Sequence, residues 1–207
     1  MTGLFITLEG GDGSGKSTQL ALLVQWLEDS GRVVTVTREP GGTDLGIELR
    51  NIVLHRRGEI VPWAEALIYA ADRAQHIAMV VRPALERGEI VIQDRYFDSS
   101  VAYQGVGRQL GADQVRDVSL AAAGGLLPDL TVLLDLDATT AKQRMGERTK
   151  FDRLEAEKSD FHATVRAAYL ALAAEEPQRF LVVDASEPVD LIAEIVQQRV
   201  QPMLYES

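Results

Sequence analysis

Short apolar runs alternate along the chain with longer segments in which apolar residues recur every three or four positions. The short runs predict β-strands, because strands that are covered on both faces are apolar throughout rather than alternating. Five such runs are present: Leu4–Leu8, Val33–Val36, Ile90–Ile92, Leu130–Leu136 and Phe180–Val183.

The periodic segments predict helices. In Ser17–Ser30, for example, the apolar residues share one helix face, and Gly31 follows as a helix-ending residue. The other helical segments are Leu45–Leu54, Pro62–Arg87 with an interruption near Pro83, Asp113–Ala123, Thr139–Glu147, Phe161–Ala174 and Pro188–Val200. Strands that alternate with helices predict an α/β fold, with a five-stranded parallel sheet flanked by helices, in one domain over residues 1–207.

Composition and charge narrow the class of protein. The formal net charge is −10, which argues against a general nucleic-acid or anionic-membrane binder, because phosphate backbones attract positive surfaces. The chain has no cysteine, which excludes disulfides and thiolate chemistry. His55, His76 and His162 lack metal-site spacing. With no apolar stretch of about 20 residues and no signal-peptide pattern, we expect a soluble cytoplasmic protein.

A glycine-rich segment between the first strand and the first helix has the pattern G-x-x-x-x-G-K-[ST]. Its backbone N–H groups and the start of the helix suit phosphate oxygens. Lys16 is expected to reach the β- and γ-phosphates, and the Ser17 hydroxyl to bind Mg²⁺. The alternative is a turn that matches by chance. The residues predicted to hold ATP here are Gly10, Gly11, Asp12, Gly13, Ser14, Gly15, Lys16, Ser17 and Thr18.

Three further segments carry candidate chemistry, two of them directly after strands, where ligands bind in parallel sheets. Arg38, in TREPGGT, is expected to face a second anion, unless this is only a polar turn. Asp94 is placed to hold the Mg²⁺ hydration shell and Arg95 to bind an anion, the alternative being an ion pair between the two. The arginine-rich segment 144–156 is either a solvated face or a lid over the phosphates.

Taken in order, GGDGSGKST, TREPGGT, DRY with AYQG, and DRLE resemble the motifs of the thymidylate kinase family, from residue 4 to about residue 190. The resemblance implies a P-loop nucleoside monophosphate kinase fold with a short lid. It also implies transfer of the γ-phosphoryl group of ATP to dTMP, giving dTDP and ADP in dTTP synthesis, with Mg²⁺. No basic residue stands between Gly10 and Gly15, so the chain is similar to the bacterial branch whose catalytic arginine lies in the lid.

The resemblance also implies roles for residues around the phosphate of the acceptor nucleotide. Asp12 occupies the position that contacts the sugar 3′-hydroxyl, and Arg38 and Arg95 those that bind the 5′-phosphate. Two guanidinium groups position one phosphate better than lysines would. The bond between Glu39 and Pro40 is cis in some relatives, so the same is expected here.

Other matching positions face the base. Tyr69 stands where the family stacks an aromatic ring on the base, and Arg73 where it donates to thymine O4. Core packing for Tyr69 and an intrahelical ion pair of Arg73 with Asp72 or Glu65 are the alternatives. From the following stretch, which begins at Ser99, we expect contacts to the base edge and the sugar 2′ position by Ser100, Gln104 and Tyr103. The family often has Thr or Asn in place of Ser100.

In the lid, Arg153 matches the strongest family arginine and Arg148 is a secondary candidate. Arg144 resembles the arginine that packs on adenine, and residues 184–188 stand where related kinases hold the adenine edge. Lys16, Arg38, Arg95 and Arg153, with Mg²⁺ held near Asp94, would then neutralise the phosphates.

The family forms homodimers, and two apolar segments, Pro62–Arg87 and Ser119–Ala123, are candidate faces. The expected partners are therefore dTMP, ATP and a second copy of the chain, with no nucleic acid and no membrane. Two other interpretations stay open from the sequence. The chain is another nucleoside monophosphate kinase, or it is a P-loop protein that binds nucleotide without catalysis.

Overall fold

A computed structural model describes residues 3–56, 58–145, 153, 154, 157 and 159–206. These residues build one parallel sheet in the order β2-β3-β1-β4-β5. The predicted parallel α/β architecture is therefore confirmed, and each predicted strand is present with ends shifted by at most two residues. The strands are β1 (Leu4–Glu9), β2 (Val34–Arg38), β3 (Ile90–Asp94), β4 (Leu130–Asp135) and β5 (Phe180–Asp184).

The order of the strands reverses at β1, which lies between β3 and β4. A crevice opens at such a reversal beyond the carboxyl ends of the strands, and ligands of α/β proteins bind there. The register sets the groups at this edge: Asp94 is opposite both Leu8 of β1 and Arg38 of β2. The segments that follow β1, β2 and β3 therefore meet in one place.

Helices cover both faces of the sheet. The first of them ends as expected, because Gly31 has φ 75° and the Arg32 amide donates to Leu27 O at 3.0 Å. None of the described helices is long and apolar enough to cross a membrane. The described α-helices are α1 (Lys16–Asp29), α2 (Asp44–His55), α3 (Pro62–His76), α4 (Arg82–Glu86), α5 (Phe97–Ser100), α6 (Ala112–Ala122), α7 (Ala138–Met145), α8 (Ser159–Glu175), α9 (Val189–Val200) and α10 (Met203–Glu206).

Two segments form π-helical turns. The first, Ile77–Val81, joins α3 to α4 and is the interruption expected near Pro83. Proline has no N–H to donate to the preceding turn, and a wider turn accommodates its ring. The second, Val101–Gly107, follows α5, and its Tyr103 carbonyl accepts the Arg108 amide five residues on at 2.8 Å. The second segment, together with α5 and α10, was not expected from the sequence.

The core has two layers, one on each side of the sheet. Successive residues of a strand point to opposite faces, so Phe5 belongs to one layer and Ile6 to the other. The Phe5 layer packs against α3, the second π turn and α8, and the Ile6 layer against α1 and α9. At roughly 25 cal/mol per Å² of buried apolar surface, these two layers are the main favourable term in folding. They hold the strand ends, and so the functional loops, in place.

Candidate functional site

A cavity of about 510 Å³ lies at the carboxyl edge of β1, β2 and β3. It brings together most of the predicted site: Asp12, Gly13, Gly15, Lys16, Ser17, Thr18, Arg38, Tyr69, Arg73, Asp94, Arg95, Ser100, Tyr103, Gln104 and Arg144. Among predicted residues, Gly10, Gly11, Ser14 and Arg153 do not line it. Ser99, from the stretch expected to face the base and sugar, also lines it, as do residues with no predicted role: Glu39, Pro40, Arg50, Leu54, Tyr96 and Leu154.

The loop between β1 and α1 has the geometry of a phosphate cradle. Gly10 has φ 135°, and a Cβ there would lie 2.5 Å from Leu134 O, so only glycine fits. Lys16 folds back over the loop, with its Nζ donating to Gly10 O at 3.0 Å and Gly11 O at 2.9 Å. Burial lowers the pKa of Lys16. The exposed Ser17 is the second residue of α1 and lines the cavity, at a helix start of the kind that suits phosphate oxygens.

Asp94 and Ser17 provide the oxygen ligands that suit Mg²⁺. Asp94 Oδ1 is buried and has no hydrogen-bond partner in the described part of the chain. Nowhere in that part do three His, Cys, Asp or Glu side chains cluster as a metal cage. Mg²⁺ keeps several waters and binds through one or two carboxylates plus phosphate oxygens. The Asp94 carboxylate and the Ser17 hydroxyl, which line the same cavity, therefore fit this ion.

Arg95 lies in the left-handed region, with φ 65°, and several groups hold its side chain. Nη2 donates to Asp12 Oδ1 at 2.7 Å, so the predicted alternative of a pair with Asp94 is not what forms. Nη1 donates to Ser99 Oγ at 3.3 Å and to Tyr169 Oη at 3.4 Å. Although burial acts in the opposite direction, Arg95 and Lys16 lower the pKa of Asp12. The Asp12 carboxylate, a hydrogen-bond acceptor, thus lies close to the positive charges of Arg95 and Lys16.

Beneath Arg95 lies a buried carboxylate, Glu9, to which sequence reasoning gave no role. Its Oε1 accepts from the Tyr96 amide at 2.7 Å. Its Oε2 accepts from Ser99 Oγ at 2.6 Å and Tyr169 Oη at 2.8 Å, the two hydroxyls that contact Arg95. Burial, reinforced by Asp98, raises the pKa of Glu9 to about 7. A glutamate that ends an apolar strand is the signal from which this site could have been found.

Arg73, on α3, is almost completely buried in the wall of the cavity. Its Nε donates to Glu39 at 2.9 Å and its Nη2 to Ser100 Oγ at 3.1 Å. The alternative of an intrahelical ion pair with Asp72 or Glu65 is therefore wrong. Nη1 is buried and has no hydrogen-bond partner among the described residues. The Nη1 group of Arg73 can therefore donate a hydrogen bond to a ligand.

Glu39 joins the loop after β2 to α3. One carboxylate oxygen binds Arg73 and the other lies 3.0 Å from His76 Nδ1. The second ring nitrogen of His76 lies 2.6 Å from Thr37 Oγ1. The Glu39–Pro40 peptide bond is cis, as expected. The TREPGGT segment is thus tied to the helix that carries Arg73.

The second π turn supplies two more predicted residues. Tyr103 is 4% exposed, and its Oη is buried without a hydrogen-bond partner among the described residues. Gln104 is buried and its Nε2 donates to Glu65 Oε1 at 2.7 Å. Tyr69, half-buried, packs on the apolar core, as the core-packing alternative expects; it also lines the cavity, and its stacking on a base stays a prediction.

Arg153 lies away from the phosphate cradle. Its Nε donates to Val53 O at 3.0 Å, its backbone amide to Leu54 O at 3.3 Å, and its Nη2 to Glu65. The neighbouring Leu154 lines the cavity. Arg148, the secondary candidate, lies outside the described residues, as does most of the predicted lid.

Arg144 reaches the segment expected to hold adenine. Its Nη1 donates to Ala185 O at 2.8 Å. That segment is shaped by Asp184, whose Oδ1 accepts from both the amide and the hydroxyl of Ser186, at 2.8 and 2.6 Å. The two features predicted for the adenine end are therefore adjacent.

Comparison with known proteins agrees with this arrangement. Residues 8–196 match the family model described as thymidylate kinase. The chain is 75% identical over 192 residues to the thymidylate kinase of Leifsonia xyli subsp. xyli, covering 92% of this chain and 91% of that protein. It is 66% identical over 205 residues to the thymidylate kinase of Clavibacter sepedonicus, covering 99% and 97%.

A solved structure is also similar. The crystal structure of thymidylate kinase from Ehrlichia chaffeensis superposes with a TM-score of 0.78 at 28% identity, covering 97% of this chain and 99% of that one. The matched family residues include the P-loop, the segments after β2 and β3, and the helix that carries Arg73. The chain therefore belongs to the thymidylate kinase family.

Proposed function

We propose that this protein transfers the γ-phosphoryl group of ATP to the 5′-phosphate of dTMP, giving ADP and dTDP as a step in dTTP synthesis. One observation carries the proposal. A single cavity joins a P-loop to three buried atoms that lack partners among the described residues: Asp94 Oδ1, Arg73 Nη1 and Tyr103 Oη. Buried polar atoms are costly unless they are hydrogen-bonded, so these atoms await a polar ligand.

At the donor end, we assign the triphosphate of ATP to the backbone of residues 10–18 and to Lys16. Lys16 contacts two loop carbonyls, and phosphate oxygens would replace these as acceptors. Ser17 and Asp94 would hold Mg²⁺, which when bound neutralises phosphate charge. Arg144, beside Ala185, would pack on adenine.

At the acceptor end, Arg38 and Arg95 are assigned to the 5′-phosphate of dTMP. Arg38 is exposed into the cavity, and Arg95 is already oriented by Asp12. Asp12 accepts the sugar 3′-hydroxyl, and Tyr103 crowds the 2′ position against ribose. We assign the base to Tyr69 by stacking and to Ser100 and Gln104 at its edge. Arg73 donates Nη1 to thymine O4, whereas cytosine would oppose it with an amino group.

The chemistry needs no general base, because the attacking phosphate oxygen is already ionised at neutral pH. The barrier is the repulsion between two polyanions, so catalysis consists of positioning and charge neutralisation. Lys16, Arg38 and Arg95 supply fixed positive charge. Arg153 would add a further charge where its guanidinium contacts the phosphates in place of Glu65.

A coupled ADP-release assay tests the proposal, with Mg·ATP and dTMP, dUMP, dCMP, dGMP or AMP as acceptors. We expect the highest kcat/KM with dTMP. Faster turnover of another monophosphate would keep the kinase and discard the roles of Arg73, Ser100 and Gln104. A folded protein that binds ATP but turns over none of them would be a nucleotide-binding protein without transferase activity.

We further propose that the enzyme is cytoplasmic, since its substrates are intracellular nucleotides. We also propose that it is a homodimer. An exposed apolar stripe on α3 and the turn after it supports the dimer: Trp63 at 41%, Leu67 at 53% and Met79 at 63% exposure. Such a stripe suits an isologous helix interface. Ser119 and Ala123, from the other candidate face, are buried within the chain. Sedimentation of the wild type and of Leu67→Glu tests this, and a monomeric wild type would contradict it.

A further inference from the structure

Glu65 is a fully buried carboxylate that has no role in the reaction as described so far. It lies on α3, one helical turn before Tyr69 and two before Arg73. We propose that Glu65 is a positioning residue for base selection, because it fixes which end of the Gln104 amide faces the nucleotide base. This inference rests on the proposed function, since it assumes that the base lies between Arg73 and Gln104.

The hydrogen bonds of Glu65 set the polarity of its surroundings. Oε1 accepts from Gln104 Nε2 at 2.7 Å and from Arg108 Nε at 3.3 Å, and Oε2 accepts from Arg153 Nη2. A carboxylate that faces a guanidinium group acts as an acceptor at both oxygens, and the Arg108 contact does not depend on the position of Arg153. Only the nitrogen of the Gln104 amide can therefore turn toward Glu65.

When the nitrogen of the Gln104 amide faces Glu65, its oxygen is the atom that can face the cavity, which Gln104 lines. Arg73 offers the opposite polarity, because its partnerless Nη1 can only donate. Glu39 holds Arg73 in the same manner, with Nε 2.9 Å from the carboxylate. Two buried glutamates thus fix one acceptor and one donor in the wall of the same cavity.

The pair matches a 4-oxo pyrimidine with a protonated N3. Thymine and uracil present an acceptor at O4 and a donor at N3–H, whereas cytosine presents a donor amino group and an acceptor at N3. A site whose polar groups are fixed rejects the wrong base because buried groups are left unpaired. Gln104 alone would not discriminate, since a free amide can rotate by 180° and offer its NH₂ group to cytosine.

Glu65→Gln tests this directly. A glutamine at position 65 can donate to Gln104 Oε1, which allows the Gln104 amide to turn its nitrogen toward the base. We expect the ratio of kcat/KM for dTMP to that for dCMP to fall by roughly 10- to 100-fold, the size of one lost or inverted hydrogen bond in a buried site. Any loss of turnover through Arg153 affects both substrates, so the ratio isolates base selection.

Three further variants make the test decisive. Glu48→Gln, which changes an exposed glutamate on α2, should leave the ratio at its wild-type value. Glu65→Asp, one methylene shorter, should loosen the amide and lower the ratio to a smaller extent, and it serves if Glu65→Gln does not fold. In a Gln104→Ala background, Glu65→Gln should change the ratio no further, because the amide that it orients is gone.

A folded Glu65 variant that keeps the ratio within twofold of wild type would overturn the positioning role. The same follows if Glu65→Gln lowers the ratio equally with and without Gln104. Failure of the proposed function looks different, because the wild type itself would then not prefer dTMP. Circular dichroism and thermal melts of every variant establish that each one is folded.

Discussion

Arg95 Nη2 and Asp12 Oδ1 lie 2.7 Å apart and join the loop after β3 to the P-loop, although 83 positions separate the two residues. The pair places the arginine assigned to the acceptor phosphate beside the carboxylate assigned to the acceptor sugar. Donor and acceptor halves of the site therefore share one ion pair. A change at either residue is expected to affect both halves.

Asp12→Asn is expected to lower kcat/KM for dTMP by roughly 10-fold or more, the size of one charge-assisted hydrogen bond. The wild type should prefer dTMP to its 3′-deoxy analogue, and the variant should lose that preference. Steady-state kinetics with both acceptors measure this. Asp113→Asn, on the exposed first turn of α6, is the matched control. If the variant keeps the preference, Asp12 does not bind the 3′-hydroxyl.

The buried Glu9 should make stability depend on pH. Its pKa is raised from 4.5 to about 7 in the folded protein, so the folded state binds more protons than the unfolded state between these values. Stability from this group is therefore greatest below pH 4.5 and falls as pH rises to about 7. Relative to wild type, Glu9→Gln should gain about 3 kcal/mol over that range. Urea denaturation at several pH values tests this, and parallel curves would exclude it.

Arg153→Ala should lower kcat far more than it changes KM for dTMP, because the proposed phosphate contact forms mainly in the closed transition state. A catalytic arginine contributes on the order of 10³-fold or more in phosphoryl transfer. Arg199→Ala provides the control, because Arg199 is a partly exposed arginine of α9 that does not line the cavity. Normal kcat with a raised KM would limit Arg153 to the anchoring contacts with Glu65 and Val53 that it makes here.

Asp94→Asn should raise the Mg²⁺ concentration needed for half-maximal activity by roughly 10- to 100-fold, since groups that orient metal-bound water have effects of this size. Chelation by EDTA should abolish turnover in the wild type. Titration of MgCl₂ at fixed ATP measures the shift, again with Asp113→Asn as the control. An unchanged Mg²⁺ requirement would remove Asp94 from the metal site.

Much of the fold follows from the apolar pattern, because strands buried on both faces and amphipathic helices differ clearly in period. The short helices α5 and α10 span too few residues for a period to emerge. The π turn at Val101–Gly107 gives no signal of its own, since it differs from an α-helix by about one residue per turn. The strand order depends on tertiary packing, which the local pattern does not encode.

The residues of the candidate site also fall into two groups, those that a local sequence pattern predicts and those that depend on tertiary packing. Lys16, Arg38 and Arg95 are predictable because each lies in a short motif next to a strand end. The supporting residues are not, because their roles depend on distant partners: Tyr169 reaches Glu9 across 160 positions. Their common signal is a charged residue within an apolar segment, which must find a partner when it is buried.

The π turn at Val101–Gly107 also restricts how the length of this chain can vary. Each residue of an α-helix advances the chain by about 100° around the axis, so the side chains within this segment would take new directions if one of its residues were deleted. Such a deletion would let the segment relax into ordinary α-helix and would turn Gln104 away from Glu65. Exposed turns such as the one at Gly31 can gain or lose residues, whereas this segment can exchange side chains only at constant length.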